Sequence, residues 1–201
     1  MSNRLRSMMS QGGIPASGVY YHKTDGTVKS TMTGSANEYD GVVVSDGTHA
    51  FVIGKNQASS TLRFGGYSKD LSNIGVVCTS ARATAQADFA GDANTTAIIN
   101  ALSGYNDGYS TGAPAAEWCR TQFNGNGYLP SLGEWNLAYS NKAAVNTAMS
   151  NIGGTAITDS YYWSSTLYNA SDYSWALRWT YGDMYGYGRN DNLYVRAFCS
   201  L

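Results

Sequence analysis

Two histidines are the first residues to consider for catalysis, because imidazole serves as the base that activates a Ser or Cys nucleophile. His22 and His49 each lie on a predicted strand beside a turn, and neither has a Ser or Cys partner at a recognisable motif spacing. A dyad assembled from residues far apart in sequence stays open as an alternative. No motif indicates one, so we expect no catalytic residue.

The sequence also contains no complete motif for a metal or cofactor site. Calcium needs several oxygen ligands in a tight loop, and the segment from Asp88 to Asp92 supplies only part of one. The glycine pairs between Gly182 and Gly188 lack the following helix that a phosphate loop requires. We expect no metal and no cofactor. A weaker alternative is glycoside hydrolysis, which needs a pair of carboxylates. The candidates for that pair are Asp172, Asp183 and Asp191.

The three cysteines are too few and too scattered for a disulfide framework or a zinc site. Buried free thiols that pack as small apolar groups are the favoured interpretation. One bridge stays open, and Cys119–Cys199 is the pair to test first. An enzyme that uses Cys199 is a further alternative, which thiol reactivity would distinguish.

The residue pattern that does indicate a function lies near the C-terminus. Half of the 16 Tyr residues and three of the five Trp fall in residues 161–201. Between residues 181 and 189, large or charged side chains alternate with Gly and Met, and an extended segment would place the first set on one face. That set is Tyr181, Asp183, Tyr185, Tyr187 and Arg189. Tyr offers large contact area with little rotamer entropy to lose, so such a face is typical of a binding surface.

Composition restricts the class of protein. Charged residues make up 13% of the chain and the formal net charge is −1, so no electrostatic attraction to nucleic acid is expected. A hydrophobic fraction of 43% in 201 residues allows one domain with a sizeable core. No apolar run approaches a membrane span of roughly 20 residues. The first residues lack the apolar stretch of a secretory signal.

The elements that must position this surface follow from turn and cap patterns. We predict a polar lead-in or oligomerisation segment at 1–17 and one domain at 18–201. Asp25-Gly26 and Asp46-Gly47 predict hairpin turns between β-branched or aromatic runs. Helices are expected at 95–102, from Pro114 to Arg120, and from Ser131 to about Asn151, the last with a Ser131/Glu134 capping box. Strands are expected at 161–166, 174–180, 182–189 and 194–199.

Four segments in this order resemble the C-type-lectin-like fold of variable proteins from diversity-generating retroelements. They are GYLPSLGEW at 127–135, YWSST at 162–166, the segment around Trp175 and Trp179, and YVRAF at 194–198. The resemblance covers roughly Pro114 to the C-terminus. It implies an α+β domain with small mixed or antiparallel sheets, two helices and a long, loop-rich C-terminal half.

In that family the fold is a scaffold, and a reverse-transcriptase system rewrites adenines in codons near the 3′ end of the gene. An AAY codon changed only at its adenines can yield Asn, Asp, Tyr, Ser, Thr, His, Gly, Ala and a few others, but not Trp, Met or Glu. The resemblance thus implies a variable region at about 166–194 and fixed positions at Trp163, Trp175, Trp179 and Met184. The ligand-binding residues it implies are Tyr168, Asn169, Ser171, Asp172, Tyr173, Arg178, Tyr181, Asp183, Tyr185, Tyr187, Arg189, Asn190, Asp191 and Asn192.

The resemblance further implies a receptor-binding protein whose partner is a cell-surface protein or glycan, on a phage tail or at a bacterial surface. A homotrimer would suit a tail protein, although no residue indicates one. Three alternatives stay open: a bacterial adhesin of the same family, an enzyme of the formylglycine-generating type, and a structural tail or pilus subunit. In the simplest alternative, Tyr, Asn and Asp are ordinary loop residues of a polar β protein.

Overall fold

A computed structural model describes residues 13–201 as a mixed α+β domain, so most of the predicted lead-in at 1–17 lies outside the described residues. The strands are β1 (Gly18–Lys23), β2 (Val28–Lys29), β3 (Tyr39–Ser45), β4 (Ala50–Gly54), β5 (Leu62–Arg63), β6 (Gly127–Tyr128), β7 (Tyr161–Leu167), β8 (Tyr173–Arg178), β9 (Met184–Gly188), β10 (Asn192–Leu193) and β11 (Phe198–Ser200). The helices are α1 (Arg82–Gln86), α2 (Gly91–Leu102), α3 (Pro114–Thr121), α4 (Leu132–Ser140) and α5 (Lys142–Asn151).

A six-stranded sheet in the order β2-β1-β3-β4-β11-β6 forms one layer of the domain. Both hairpin predictions are confirmed: β1 pairs with β2 around Gly26, and β3 pairs with β4 around Gly47. Gly47 has φ +90°, a conformation that glycine adopts without a Cβ penalty. The C-terminal strand β11 pairs antiparallel with both β4 and β6. Strand β11 therefore lies inside the sheet and connects β4 to the edge strand β6.

The final predicted strand, 194–199, is wrong in extent. Residues 192–193 form β10 with β5, and only Phe198 onward joins the large sheet. The intervening segment is buried, and Arg196 inside it donates hydrogen bonds to the carbonyls of Gly54 and Thr155, both at 2.7 Å. Because Arg196 satisfies backbone carbonyls of neighbouring loops, this segment connects loops instead of extending a sheet.

Residues 13–201 contain five α-helices, where the resemblance implied two. The helix at Pro114 and the Ser131/Glu134 capping box are confirmed. The single helix predicted from Ser131 to Asn151 is wrong, because the chain leaves helical geometry at Asn141, where the Asn141 side chain donates to the carbonyl of Leu137 at 3.0 Å. The short helix α1 was not predicted.

A three-stranded antiparallel sheet, β7-β8-β9, lies between two apolar clusters. One cluster includes Trp175, Leu177 and Met184 on one side of the sheet, and the other includes Trp163 and Ala176 on the opposite side. The Trp135 indole packs within the first cluster, with ring centroids 4.8 Å from Phe198 and 5.3 Å from Tyr162. This packing holds β7 and β8 from both sides and leaves β9 at the sheet edge.

The cysteines Cys78, Cys119 and Cys199 are all free, so the Cys119–Cys199 bridge is not formed. Within residues 13–201, no helix is long and apolar enough to cross a membrane.

Candidate ligand-binding surface

The register of β8 and β9 decides which side chains share a face. Ala176 lies opposite Tyr185 and Ser174 opposite Tyr187, whereas Trp175 lies opposite Gly186. Directly opposed residues point to the same side of an antiparallel sheet. Tyr185 and Tyr187 therefore project from one side, and Trp175 and Gly186 lie on the other.

The first side carries a group of aromatic rings and one arginine, which we call the tyrosine face: Tyr161, Arg178, Tyr181, Tyr185 and Tyr187. The Tyr161 ring centroid lies 4.7 Å from that of Tyr187 and 6.4 Å from that of Tyr185. The Arg178 guanidinium sits 4.5 Å from the Tyr181 ring centroid, a cation–π distance. Tyr181 and Tyr185 are 61% and 50% exposed, so their rings are free to contact a partner.

Within this face, Arg178 is fixed by a two-point contact with Asp159: Nε donates to Oδ1 at 2.9 Å and Nη2 to Oδ2 at 3.0 Å. Tyr187 is partly buried against the second apolar cluster. Burial, together with its hydrogen bond to Tyr161, raises the pKa of Tyr187 to about 12. Tyr187 thus supports the face from below, while Tyr181 and Tyr185 form its exposed part.

The opposite side opens into a cleft of ≈ 520 Å³, which we call the Tyr168 cleft. The Tyr168 ring meets the Trp175 ring edge-on at 4.9 Å and lies 6.3 Å from Tyr173. A Cβ at Gly186 would lie 2.6 Å from the Tyr168 ring, so only glycine admits the ring at this position. The residues lining the cleft are Ser80, Arg82, Tyr168, Asn169, Tyr173, Trp175, Met184, Tyr185 and Gly186.

The loop between β7 and β8 is held by its own polar groups. Asn169 Oδ1 accepts hydrogen bonds from the backbone N–H groups of Asp172 and Tyr173, each at 2.8 Å. The carbonyl of Ala170 accepts from the N–H of Leu71 at 2.8 Å. Asp172 Oδ2 accepts from the Ser171 hydroxyl at 2.8 Å. These bonds restrict the loop, so Tyr168 and Tyr173 are presented from a defined backbone.

Arg189 is the one predicted contact residue whose position contradicts the prediction. It is fully buried, and its Nη2 donates to the carbonyls of Lys69 and Ala170 at 3.0 and 2.9 Å. Burial lowers its pKa to about 10. The alternation between 181 and 189 therefore ends at Tyr187, because β9 ends at Gly188 and the chain turns inward. Arg189 joins two loops and does not contact a partner.

The other predicted residues are accessible. Tyr173, Tyr181, Tyr185, Asp191 and Asn192 are exposed, and Tyr168, Asn169, Ser171, Asp172, Arg178, Asp183, Tyr187 and Asn190 are half-buried. Asn190 and Asn192 lie beside Arg63, whose Nε donates to the Asn190 carbonyl at 3.0 Å and which pairs with Asn192 in the β5–β10 ladder. The four positions predicted to be fixed, Trp163, Trp175, Trp179 and Met184, are all buried.

Four further residues at this surface were missed by the sequence analysis. Ser80 and Arg82 line the Tyr168 cleft from a segment about 90 positions upstream. Tyr67 and Tyr109 pack edge-on at 5.9 Å, and Asp172, Tyr173 and Asp191 lie close enough to Tyr67 to raise its pKa further, beyond the main effect of desolvation. Only the fold brings these loops to the C-terminal sheet. Tyr clustering in the loop at 105–109 was the one sequence feature that could have suggested them.

The residues considered for catalysis have other partners. His22 Nδ1 lies 2.6 Å from Asp40 Oδ1, and His49 lies 3.1 Å from Asp46 while its ring stacks on Phe89 at 3.8 Å. Burial raises the pKa of Cys199 to about 11, so its thiol is protonated at neutral pH. Among residues 13–201, no group of three His, Cys, Asp or Glu side chains could hold a metal ion.

Comparisons with protein-family models, with curated proteins and with solved structures found no match to this chain.

Proposed function

We propose that this protein is a receptor-binding module in which a C-type-lectin-like scaffold displays a diversified Tyr-, Asn- and Asp-rich surface. The ligand is a cell-surface protein or glycan, and the module acts on a phage tail tip or, in the alternative setting, as a bacterial surface adhesin. The surface consists of the tyrosine face, the Tyr168 cleft and the turn at 190–192.

One observation carries the proposal: the twelve positions predicted to vary are accessible, whereas the four Trp and Met positions predicted to be fixed are buried. Each of the twelve predicted variable positions is either exposed or half-buried, and none is fully buried. They are Tyr168, Asn169, Ser171, Asp172, Tyr173, Tyr181, Asp183, Tyr185, Tyr187, Asn190, Asp191 and Asn192. The four residues that adenine changes in an AAY codon cannot produce, Trp163, Trp175, Trp179 and Met184, are buried.

The energetics of such a surface favour recognition. Each Tyr can bury roughly 150 Å² or more and donate one hydrogen bond to a partner. A few aromatic anchors dominate an interface, and neighbouring polar residues exclude water from it. Tyr173, Tyr181 and Tyr185 have the exposure that anchors need. Variable residues at such positions can change without disturbing the buried Trp residues beneath them.

The experiment that tests the proposal is sequencing of the DNA that flanks the gene. We expect a near-copy of the gene's 3′ end in which the mismatches fall at adenines of the copy, within codons of the twelve variable positions. We also expect the codons of Trp163, Trp175, Trp179 and Met184 to match between copy and gene. Flanking DNA without such a copy, or mismatches spread over the buried codons, would overturn the diversification proposal.

A further inference from the structure

We propose that Arg82 makes the Tyr168 cleft a binding site for a carboxylated saccharide, with the guanidinium holding the carboxylate and the aromatic wall holding the sugar ring. This inference rests on the proposed recognition role and adds the chemical class of ligand. It depends on a residue outside the predicted variable region.

The guanidinium of Arg82 is anchored but not neutralised. Its Nη2 donates to the carbonyl of Met184 at 3.1 Å, and within residues 13–201 it forms no ion pair with a carboxylate. The helix α1 that carries Arg82 is fixed to the sheet by Gln86, whose Nε2 donates to Met184 Sδ at 3.3 Å and to Asn136 Oδ1 at 3.1 Å. Arg82 thus presents its remaining N–H groups to the cleft from a fixed backbone.

The polar groups around the cleft are mainly donors. None of the described residues that line it is Asp or Glu. Asn169 uses its carbonyl oxygen on two backbone N–H groups, which leaves its amide N–H₂ for a ligand. Ser80 and the Tyr168 and Tyr173 hydroxyls add neutral polar groups at the wall. A cation with surrounding donors favours a ligand that is anionic and rich in oxygen acceptors.

The shape of the cleft agrees with a sugar ring. Its volume of ≈ 520 Å³ lies in the range of small-molecule sites, roughly 300–1,000 Å³. Tyr168 and Trp175 form a rigid aromatic wall, because Gly186 lets the Tyr168 ring lie directly against the strand. The planar guanidinium fork matches a carboxylate in a two-point contact.

An added peptide strand fits this edge less well. Strand addition needs free backbone groups along β9. The carbonyl of Met184, at the start of β9, is already bound by Arg82. A peptide strand would have to displace the arginine that supplies the site's charge, so the geometry favours a saccharide.

The test uses the full chain on an array of matched saccharide pairs that differ in one carboxylate, for example cellobiouronic acid and cellobiose, with sialyllactose and its neutral methyl ester as a second pair. Acidic peptides complete the array. We expect the carboxylated member of at least one pair to bind 10-fold or more tightly than its neutral partner, and added NaCl to weaken that binding.

Three variants locate the effect. Arg82→Gln should remove the preference for the carboxylated member, and Arg82→Lys should keep only part of it because an ammonium cannot make the two-point contact. Arg120→Gln is the matched control, since Arg120 is a partly exposed arginine paired with Asp92 outside the cleft. It should bind as the unmodified chain does. The Arg82 variants lose one hydrogen bond at the surface, so unchanged melting temperatures would confirm that they fold.

Equal binding of both members of every pair, binding of acidic peptides alone, or an Arg82→Gln variant that keeps the preference would each overturn the carboxylate site. These outcomes are distinct from failure of the proposed function. Diversification fails if flanking DNA carries no near-copy, even where Arg82 binds an acidic saccharide. The carboxylate site fails if Arg82 has no effect, even where the near-copy is found.

Discussion

The hydroxyl of Thr166 donates a hydrogen bond of 2.7 Å to Asp88 Oδ2, deep inside the domain. The same oxygen accepts from the Asn94 amide at 2.9 Å, and Thr166 Oγ1 accepts from the backbone N–H of Leu132 at 2.9 Å. This network joins β7 to the starts of α2 and α4. It explains why a buried strand carries Ser and Thr: their hydroxyls satisfy a carboxylate and a helix N-terminus that water cannot reach.

Replacing Thr166 by Val should therefore destabilise the protein by about 3 kcal/mol. Valine has nearly the same shape, but it leaves the Asp88 carboxylate with one donor fewer and the Leu132 N–H without an acceptor. Thr147→Val is the matched control, because the Thr147 hydroxyl is exposed and bonds only to the Ala143 carbonyl of its own helix. Urea unfolding of both variants measures the difference. Equal stability of the two would show that the buried network contributes nothing.

Stability should depend on pH through Glu134. Desolvation raises the pKa of this buried carboxyl from 4.5 to about 7, against the hydrogen bonds from Ser131 and Tyr128 that oppose the shift. The Ser131 hydroxyl lies 2.6 Å from the Asp88 carbonyl oxygen and 3.1 Å from Glu134 Oε2, so its single proton is shared between two acceptors.

Because the folded pKa lies above the unfolded one, the stabilising contribution is fully present below pH 4.5 and is lost as pH rises through about 7. A shift of this size corresponds to on the order of 3 kcal/mol. We expect the free energy of unfolding, measured by urea titration at steps from pH 5 to 8, to fall over this range. Glu134→Gln resembles the protonated form and should show a flatter profile. Parallel profiles for the two proteins would contradict the assignment.

The sequence predicts local features well where one residue pair decides them. The Asp46-Gly47 turn, the Ser131/Glu134 capping box and the Pro114 helix start all depend on neighbours within four positions. The buried Trp residues follow from their size. The sequence could not show that Arg189 is buried, because large side chains and glycines still alternate in the sequence after β9 has ended at Gly188. It could not find Ser80 or Arg82 either, since the tertiary fold alone brings α1 beside β9.

Tyr185 and Tyr187 should differ in their effect on stability, although both side chains project from the same side of β9. Tyr185 is 50% exposed, so Tyr185→Ala should change the free energy of unfolding by less than about 0.5 kcal/mol. Tyr187 packs 4.7 Å from Tyr161 against the second apolar cluster, so Tyr187→Ala should cost about 1–2 kcal/mol. Both should weaken ligand binding 10-fold or more if the tyrosine face is the contact surface.

Trp163→Ala is the reference for these variants. Trp163 is fully buried and its Nε1 donates to the Leu62 carbonyl at 2.8 Å, so its loss should cost about 3–5 kcal/mol. Thermal unfolding of the three variants ranks them. A cost for Tyr185→Ala near that of Trp163→Ala would place Tyr185 in the core and remove it from the binding surface.

Cys199 should react slowly with thiol reagents. With a pKa of about 11, roughly 0.1% of the thiol is ionised at pH 8, and the thiolate is the reactive form. Cys119 is fully buried and should react only after unfolding. Absorbance of a chromogenic disulfide reagent over time measures both rates, with the urea-unfolded chain as the control. Fast reaction of Cys199 in the folded protein would instead favour the enzyme alternative.

Arg178 and Arg189 were both predicted to contact the ligand, but their Ala variants should differ in stability. Arg178 is partly exposed and pairs with Asp159 at the surface, where solvent screening leaves an ion pair with little effect on stability. Arg178→Ala should therefore leave the melting temperature nearly unchanged. Arg189 is buried and joins the carbonyls of Lys69 and Ala170. Arg189→Ala should cost about 3 kcal/mol or more, because the Lys69 carbonyl loses its arginine donor, the Ala170 carbonyl keeps only the Leu71 N–H, and a cavity remains.

The Arg189 variant should also release the loop that presents Tyr168 and Tyr173, since Ala170 lies within that loop. Hydrogen exchange at the N–H groups of Leu71 and Asp172 should accelerate in Arg189→Ala and stay unchanged in Arg178→Ala. Arg189→Lys tests the geometry, because the shorter lysine side chain would have to bring its ammonium to the position where one guanidinium nitrogen, Nη2, meets both carbonyls. Exchange as slow in Arg189→Ala as in the unmodified chain would mean that the loop is held by Asn169 and Leu71 alone.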